Sequence, residues 1–130
     1  MANLHIKPVQ ALDAPELALY LTLRRVEEHE RAGVLVAANS KVIKRLQAQG
    51  IKIGCSTGFT RPMVDVLEKA AKKQGYVPDA SVAGDEVLHG ARPRPFMVYR
   101  NLDLLDAWPI ESVIKIDDTT SGVGEGLNAG

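Results

Sequence analysis

Hydrophobic positions along the chain recur at helical spacing in some segments and form short continuous runs in others. The first helix is predicted to begin at Asp13, because Asp13-Ala-Pro-Glu16 combines a capping residue, an early proline and an acid three positions after the cap. Apolar side chains then share one face, and the charged residues 24–31 pair opposite signs at helical spacing. Gly33 is predicted to end this helix.

Four further helices are predicted by the same signals. Asn39 or Ser40 would cap one that ends at Gly50, and Thr60 would cap another that ends at Gly75. The prolines of the sequence ARPRP delay the start of the next helix, whose apolar stripe runs on until Trp-Pro breaks it. A glycine-rich helix comes last along the chain.

Short apolar runs at residues 51–55 and 113–116 predict two strands, and residues 80–83 predict a third. Residues 33–38 form another apolar run, whose pattern fits either a strand or a buried turn. Because the predicted strands alternate with helices, the pattern is typical of an α/β fold with a parallel sheet and flanking helices.

The composition argues against several classes of function. The chain has 130 residues with 16 Lys and Arg against 16 Asp and Glu, so the net charge is zero, which argues against a nucleic-acid binder. Cys55 is the only cysteine, which excludes an intrachain disulfide and a cysteine-only zinc site. No apolar run is long enough to span a membrane and no secretion signal is visible, so we expect a cytoplasmic protein.

Three polar loops carry the candidate chemistry. Residues 56–58 (Ser-Thr-Gly) and 117–119 (Asp-Asp-Thr) each stand between a predicted strand and a predicted helix, and Arg92 lies on the loop between them. In a parallel α/β sheet such loops share one edge. Hydroxyls and free N–H groups at a helix start can hold a phosphoryl group, an arginine can neutralise it, and a carboxylate pair can bind Mg²⁺. The three loops together suggest phosphoryl chemistry.

Each loop also has a plain structural explanation, and the pattern alone does not choose between the two. Ser-Thr-Gly and Asp-Asp-Thr are common cap and turn sequences, and Arg92 taken alone is typical of a solvated loop. Cys55 follows a strand and is more typical of a small core residue than of a nucleophile. The three histidines show no metal-ligand spacing.

Three stretches carry a more specific resemblance: GIKIGCSTGFTRPMVDVLEKAAKKQGYVPD, ARPRPFMVYRNLDLL and VIKIDDTTSGVGEGLNAG. Their order and spacing resemble the phosphonoacetaldehyde hydrolases, or phosphonatases, of the haloacid dehalogenase superfamily. The resemblance implies an incomplete Rossmann-like core at residues 39–130 without a full cap domain, preceded by a helical segment at residues 1–38 that resembles a cap remnant. The implied reaction is Mg²⁺-dependent hydrolysis of the C–P bond of phosphonoacetaldehyde to acetaldehyde and phosphate.

The resemblance also implies roles for individual residues. Ser56 occupies the hydroxyl position of the second motif and would bind the phosphoryl oxygens, while Thr57 and Gly58 would shape the same loop. Arg92 occupies the cation position of the third motif. Asp118 matches the Mg²⁺ ligand of the fourth motif. The implied partner is a small phosphonate or phosphate, with no nucleic acid and no membrane.

The sequence departs from the family pattern at the reactive groups. The motif Asp-x-x-Gly-Thr, whose aspartate attacks phosphorus, is absent, and so is the cap segment with the Schiff-base lysine. Gly122 stands where many relatives have a second acid, and Asp117 replaces a common glycine. Asp13 and Lys7 are poor substitutes for the missing groups, because Asp13 is explained as a helix cap and Lys7 has no burial signal. We therefore expect the chain alone to be inactive.

The missing first-motif strand has a structural consequence, because in this superfamily it lies between the strands that match residues 51–55 and 113–116. Its absence would leave two apolar edges. Three arrangements follow: the two strands pair with each other, residues 34–38 or 4–9 fill the position, or another chain fills it in a homodimer or a complementing pair.

Three hypotheses therefore stand for the function. The first is a truncated phosphonatase-like protein that keeps the phosphoryl and Mg²⁺ loops. The second is a non-catalytic module that binds phosphate or assembles with a partner chain. The third is a degraded gene product without a selected role.

Overall fold

The first helix begins at a reciprocal pair of hydrogen bonds. The Glu16 N–H donates to Asp13 Oδ1 at 2.8 Å, and the Asp13 N–H donates to Glu16 Oε2 at 3.1 Å. This is the predicted capping box, which satisfies two of the donors that a helix start leaves free. In the computed structural model, which describes residues 11, 13–31 and 37–130, this helix, α1, spans Ala14–Arg31. The predicted end at Gly33 lies outside the described residues.

The second helix, α2, spans Ala37–Ala48, and Gly50 follows its end, as predicted. Gly50 has a φ of +80°, and the Ile51 N–H donates back to the Leu46 carbonyl at 3.1 Å. The predicted caps Asn39 and Ser40 are wrong, because both residues already lie inside the helix. Ala37 and the alanine after it are the strongest helix formers, which extends the helix in front of the polar residues.

The described part of the chain divides into two compact units. One consists of residues up to 44 together with residues 62–77, and the other of residues 45–61 together with residues 78–130. The first unit is helical, and its core packs Leu19 and Val66 with four partly buried neighbours, which are Tyr20, Leu23, Val26 and Met63. The division predicted between residues 38 and 39 falls inside α2 and stays a prediction.

The second unit contains a sheet of two parallel strands, β1 at Gly54–Thr57 and β2 at Ala80–Ala83. β2 is confirmed, whereas β1 lies later in the chain than the predicted residues 51–55. Ser56 and Thr57 therefore belong to the strand and not to the loop. The reason is the register with β2, which pairs Ser56 with Val82 and extends the ladder to the last residue of each strand.

Helix α3 spans Arg61–Lys73 and follows Thr60, as predicted. Its first N–H, that of Arg61, donates to Asp85 Oδ1 at 2.8 Å. Gly75 ends the helix with a φ of +86°, and the Tyr76 N–H donates to the Ala71 carbonyl at 3.0 Å. This is the left-handed termination that glycine permits at lowest cost.

Two helices complete the second unit, α4 at Phe96–Leu105 and α5 at Thr120–Ala129. Asp106, with a φ of +49°, ends α4 before the predicted break at Trp-Pro. The face of α4 that is buried carries Met97, Val98 and Asn101, and the Asn101 amide donates to the Cys55 carbonyl of β1 at 3.0 Å. This contact fixes α4 beside β1.

The strand predicted at residues 113–116 is wrong. Val113 has extended backbone angles, but within the described residues the only sheet pairs β1 with β2, so this segment has no neighbouring strand to bond. Ile114 and Ile116 are consequently 85% and 86% exposed. The pairing considered between residues 51–55 and residues 113–116 is therefore not present among the described residues.

Two other arrangements were predicted for the position of the missing first-motif strand: residues 34–38 or 4–9 of this chain, or a segment of another chain. Residues 4–9 and 34–36 lie outside the described part of the chain, and Ala37 and its neighbour are helical. Insertion of another chain stays a prediction. Among the described residues, we find no helix long and apolar enough to cross a membrane.

Candidate functional site

Ser56 and Arg92 meet at the carboxyl end of β1. The Arg92 guanidinium donates through Nη2 to the Ser56 carbonyl at 2.6 Å and approaches the Ser56 hydroxyl at 3.3 Å. The serine is held by the β1–β2 register, and the arginine comes from the turn that precedes α4. The structure thus brings together two residues that are 36 positions apart in the sequence.

Lys115 is the second cation of this site, and the sequence reading did not identify it. Its Nζ lies 3.3 Å from the Ser56 hydroxyl and 3.0 Å from Asp117 Oδ2. In an extended segment, neighbouring side chains point to opposite sides, so Lys115 faces Ser56 while the flanking isoleucines face away. The signal in the sequence is the lysine at the centre of Ile-Lys-Ile, a charged residue between two apolar ones.

Glu125 is the carboxylate at the base of the site and was also missed. Its side chain is fully buried on α5, and its Oε2 accepts a hydrogen bond from the Ser56 hydroxyl at 3.2 Å. The same oxygen lies 3.3 Å from Arg92 Nε and 3.4 Å from Lys115 Nζ. Its other oxygen, Oε1, has no hydrogen-bond partner among the described residues.

The burial pattern of α5 explains why Glu125 points inward. Gly122, Glu125 and Ala129 are buried, and positions three and four apart share one face of a helix. A glutamate at such a position among small residues is the signal that could have revealed this carboxylate, because buried charges are rare unless they are paired.

Asp117 lies between the two cations. Its Oδ2 is 3.2 Å from Arg92 Nη2 and 3.0 Å from Lys115 Nζ, while its Oδ1 accepts the Thr119 hydroxyl at 2.7 Å and the Thr119 N–H at 2.9 Å. The hydrogen bond from the Thr119 hydroxyl, followed by that from Lys115, holds the pKa of Asp117 far below its ordinary value of 3.8. Asp117 is therefore a carboxylate at neutral pH.

The site is balanced in charge and internally bonded. The cations of Arg92 and Lys115 face the carboxylates of Asp117 and Glu125, which makes their formal sum zero. The Ser56 hydroxyl has one proton, which is directed to Glu125, and two lone pairs, which face Arg92 and Lys115. A ligand oxygen that reached Ser56 would have to replace one of these contacts.

Thr57, the last residue of β1, and Gly58, which follows it, make contacts at the start of the neighbouring loop. The Phe59 N–H donates to Thr57 Oγ1 at 3.2 Å. The backbone of Gly58 approaches Gly84 so closely that a Cβ at Gly84 would lie 2.8 Å from the Gly58 carbonyl oxygen. These contacts set the shape of the loop after β1.

Asp118, the predicted Mg²⁺ ligand, is exposed. No group of three or more His, Cys, Asp or Glu in the described part of the chain is arranged to hold a metal ion. The carboxylate of the adjacent Asp117 already contacts Thr119, Arg92 and Lys115, so it is not free to serve as a second ligand of the metal ion. Mg²⁺ is usually bound through one or two carboxylates, with water and phosphate oxygens as its other ligands, so Asp118 provides one suitable ligand and no second free carboxylate accompanies it among the described residues.

Asp13 and Lys7 were the two substitutes weighed against the missing reactive groups. Asp13 is confirmed as a helix cap, with its carboxylate accepting the Glu16 N–H. Lys7 lies outside the described residues.

Comparison with known proteins finds sequences similar to this chain, although no family model matches it. The chain is 54% identical over 84 residues to a phosphonoacetaldehyde hydrolase of Syntrophobacter fumaroxidans, a match that covers 65% of this chain and 30% of that protein. It is 40% identical over 111 residues to the phosphonoacetaldehyde hydrolase of Psychromonas ingrahamii, covering 85% of this chain and 37% of the relative.

A solved structure agrees with these sequence matches. The crystal structure of a phosphonoacetaldehyde hydrolase-like protein from Oleispira antarctica superposes with a TM-score of 0.67 at 41% identity, covering 70% of this chain and 33% of that one. The partial α/β core predicted from the sequence is thereby confirmed. The chain spans about a third of the length of the relatives described here. Over that third, it is homologous to the phosphonoacetaldehyde hydrolases.

Proposed function

We propose that this chain supplies the phosphoryl-binding loops of a phosphonoacetaldehyde hydrolase. The observation that carries the proposal is the convergence of Arg92 and Lys115 on the Ser56 hydroxyl, each at 3.3 Å, at the carboxyl end of β1. Two cations and a hydroxyl at a strand end are suited to an oxyanion of phosphorus. The small-molecule ligand is a phosphonate or phosphate.

Each residue has a defined part in this proposal. Arg92 neutralises the phosphoryl charge through its planar fork, and Lys115 adds a second, point-like cation. Ser56 donates its proton to a phosphoryl oxygen once it turns away from Glu125. Thr57 and Gly58 keep the loop in place. Asp118 offers one carboxylate to Mg²⁺, whose other ligands must come from outside the described residues.

We infer that the chain alone does not cleave the C–P bond. Its 130 residues contain no Asp-x-x-Gly-Thr motif for the attack on phosphorus and no cap segment with a Schiff-base lysine. Binding and electrostatic stabilisation without an attacking group leave most of the barrier in place. The cytoplasmic location likewise stays a prediction.

An assembly role is the second candidate, and the exposed segment before the site favours it. Ile114 and Ile116, both more than four-fifths exposed, flank Lys115 in a stretch that belongs to no sheet among the described residues. A strand from a second copy or from a complementing chain could pair there. Such a strand would bring apolar side chains onto both isoleucines.

Two measurements test the proposed function. Calorimetric titration of the purified chain with phosphate, with and without Mg²⁺, should give a binding signal that Arg92→Ala abolishes and that the exposed control Arg94→Ala keeps. Incubation with phosphonoacetaldehyde and Mg²⁺ should release no acetaldehyde. The absence of any phosphate signal would refute the binding proposal, and acetaldehyde release abolished by Asp118→Ala would refute the inferred inactivity.

A further inference from the structure

The position of Asp117 suggests what controls access to the two cations. Its side chain is only 8% exposed, and its Oδ2 contacts both Arg92 Nη2 and Lys115 Nζ. These donors are the same ones that the proposed function assigns to a phosphoryl oxygen. A carboxylate oxygen already holds the place that the ligand would take.

Gly122 leaves room for this arrangement. A Cβ at position 122 would overlap the three atoms of the Asp117 carboxylate group, so any larger residue there would force the carboxylate to move. The carboxylate is also anchored from the other side, because Thr119 donates two hydrogen bonds to Oδ1. Asp117 and Gly122 therefore form a matched pair in which the aspartate fills the volume that the glycine leaves.

The other carboxylate of the site has a different position. Glu125 is fully buried, and it contacts Arg92 at Nε instead of at Nη2. It also accepts the proton of the Ser56 hydroxyl. Glu125 thus supports the base of the site, whereas Asp117 occupies the end of the guanidinium that also reaches Ser56.

We propose that Asp117 is an internal competitor of the phosphoryl group and sets the anion affinity of this site. This inference rests on the proposed function. With Asp117 in place, the four charged groups sum to zero, so their net charge adds nothing to the attraction of a phosphate dianion. When the carboxylate leaves Arg92 and Lys115, or is removed by substitution, the remaining three groups carry one net positive charge.

The test compares phosphate binding by variants at position 117. Asp117→Asn keeps the size and removes the charge, and Asp117→Gly also opens the volume beside Gly122. The matched control is Asp103→Asn, because Asp103 is an exposed aspartate of α4 and the change in net charge is the same. Inorganic phosphate is titrated into each purified protein by calorimetry at low ionic strength without divalent metal, and far-ultraviolet circular dichroism verifies folding.

We expect both position-117 variants to bind phosphate about tenfold more tightly than the original chain, and Asp103→Asn to bind like the original. If Asp117→Gly fails to fold, Asp117→Asn carries the comparison. Equal phosphate affinity of the original chain and Asp117→Asn would overturn the competitor role and leave the proposed function intact. If neither the original chain nor Asp117→Asn binds phosphate, the proposed function fails as well.

Discussion

Arg61 and Glu86 form a two-pronged ion pair, with Arg61 Nε 2.9 Å from Glu86 Oε1 and Arg61 Nη2 2.7 Å from Glu86 Oε2. Glu86 Oε2 also accepts the Ala83 N–H at 2.8 Å, and the guanidinium donates to the Ser81 carbonyl at 3.0 Å. The pair thereby fixes the turn after β2 to the residue that starts α3. It lies in the same unit as the candidate site.

Replacing Glu86 by Gln should therefore destabilise the fold. The substitution keeps the size of the side chain but turns two charge-assisted hydrogen bonds into weaker or mismatched ones. We expect a loss of about 1–3 kcal/mol in the free energy of unfolding, measured by urea denaturation. Glu111→Gln, at an exposed glutamate, is the control and should change the unfolding midpoint little. Equal midpoints for the two variants would contradict the importance of the pair.

The same pair predicts a pH dependence. The Arg61 hydrogen bonds, with a smaller contribution from the Ala83 N–H, lower the pKa of Glu86 below its ordinary value of 4.5. A carboxyl group whose folded pKa lies below its unfolded pKa stabilises the fold fully above the unfolded value, and this contribution is lost as the pH falls through the folded pKa. The stability difference between the original chain and Glu86→Gln should thus shrink from about pH 6 toward about pH 3. Urea midpoints across this interval measure it, and a constant difference would contradict the assignment.

Gly84 and Gly58 give a second stability test, because their backbones approach each other where the strands end. A Cβ at Gly84 would lie 2.8 Å from the Gly58 carbonyl oxygen, whereas a Cβ at Gly58 would meet nothing within 4 Å. Backbone cannot give way as a flexible side chain can, so Gly84→Ala should cost about 1–3 kcal/mol. Gly58→Ala should be near neutral in thermal unfolding. Similar melting temperatures for the two variants would show that the close approach is unimportant.

Glu125→Gln tests the base of the candidate site. The change removes the carboxylate that lies within 3.4 Å of both cations and directs an amide toward them. Because Glu125 is fully buried, solvent cannot replace the lost interactions, and we expect destabilisation of about 1–3 kcal/mol. Chemical denaturation measures the effect, again with Glu111→Gln as the control. Unchanged stability would mean that Glu125 does not hold the two cations in place.

The exposed isoleucines predict self-association. If another copy of the chain covers residues 113–116, the apparent mass in size-exclusion chromatography should rise with protein concentration. The double variant Ile114→Ser with Ile116→Ser should lower that mass toward the monomer, because it removes the apolar side chains that a second strand would cover. Val77→Ser, at an exposed valine outside the segment, provides the control. A monomer at every concentration would exclude the homodimer.

Features determined by neighbouring residues could be predicted from the sequence. The Asp13–Glu16 capping box and the glycine helix end at Gly75 involve residues at most five positions apart, and both were correct. The boundary of β1 was misplaced because it depends on the register with β2, some 26 residues away. Local pattern cannot report a pairing of that kind.

The contacts within the candidate site likewise join residues that are far apart in the sequence, so local pattern could not predict them. Its predicted members Ser56 and Arg92 lie together, as expected from their places on loops between predicted strands and helices, while their separate roles came only from the family motifs. Lys115 and Glu125 were missed because their partner Ser56 is 59 and 69 positions away. Only the folded arrangement of β1 and α5 reveals that one oxygen of Glu125 faces both cations.

The Thr119 hydroxyl makes two hydrogen bonds that link the first turn of α5 to the candidate site. Its hydroxyl accepts the Gly122 N–H at 3.0 Å, which caps α5, and donates to Asp117 Oδ1 at 2.7 Å. The order of the first turn of α5 is consequently coupled to the location of a carboxylate in the site. Movement of that carboxylate would be reported by hydrogen–deuterium exchange at the Gly122 amide, which makes the backbone itself a sensor of occupancy.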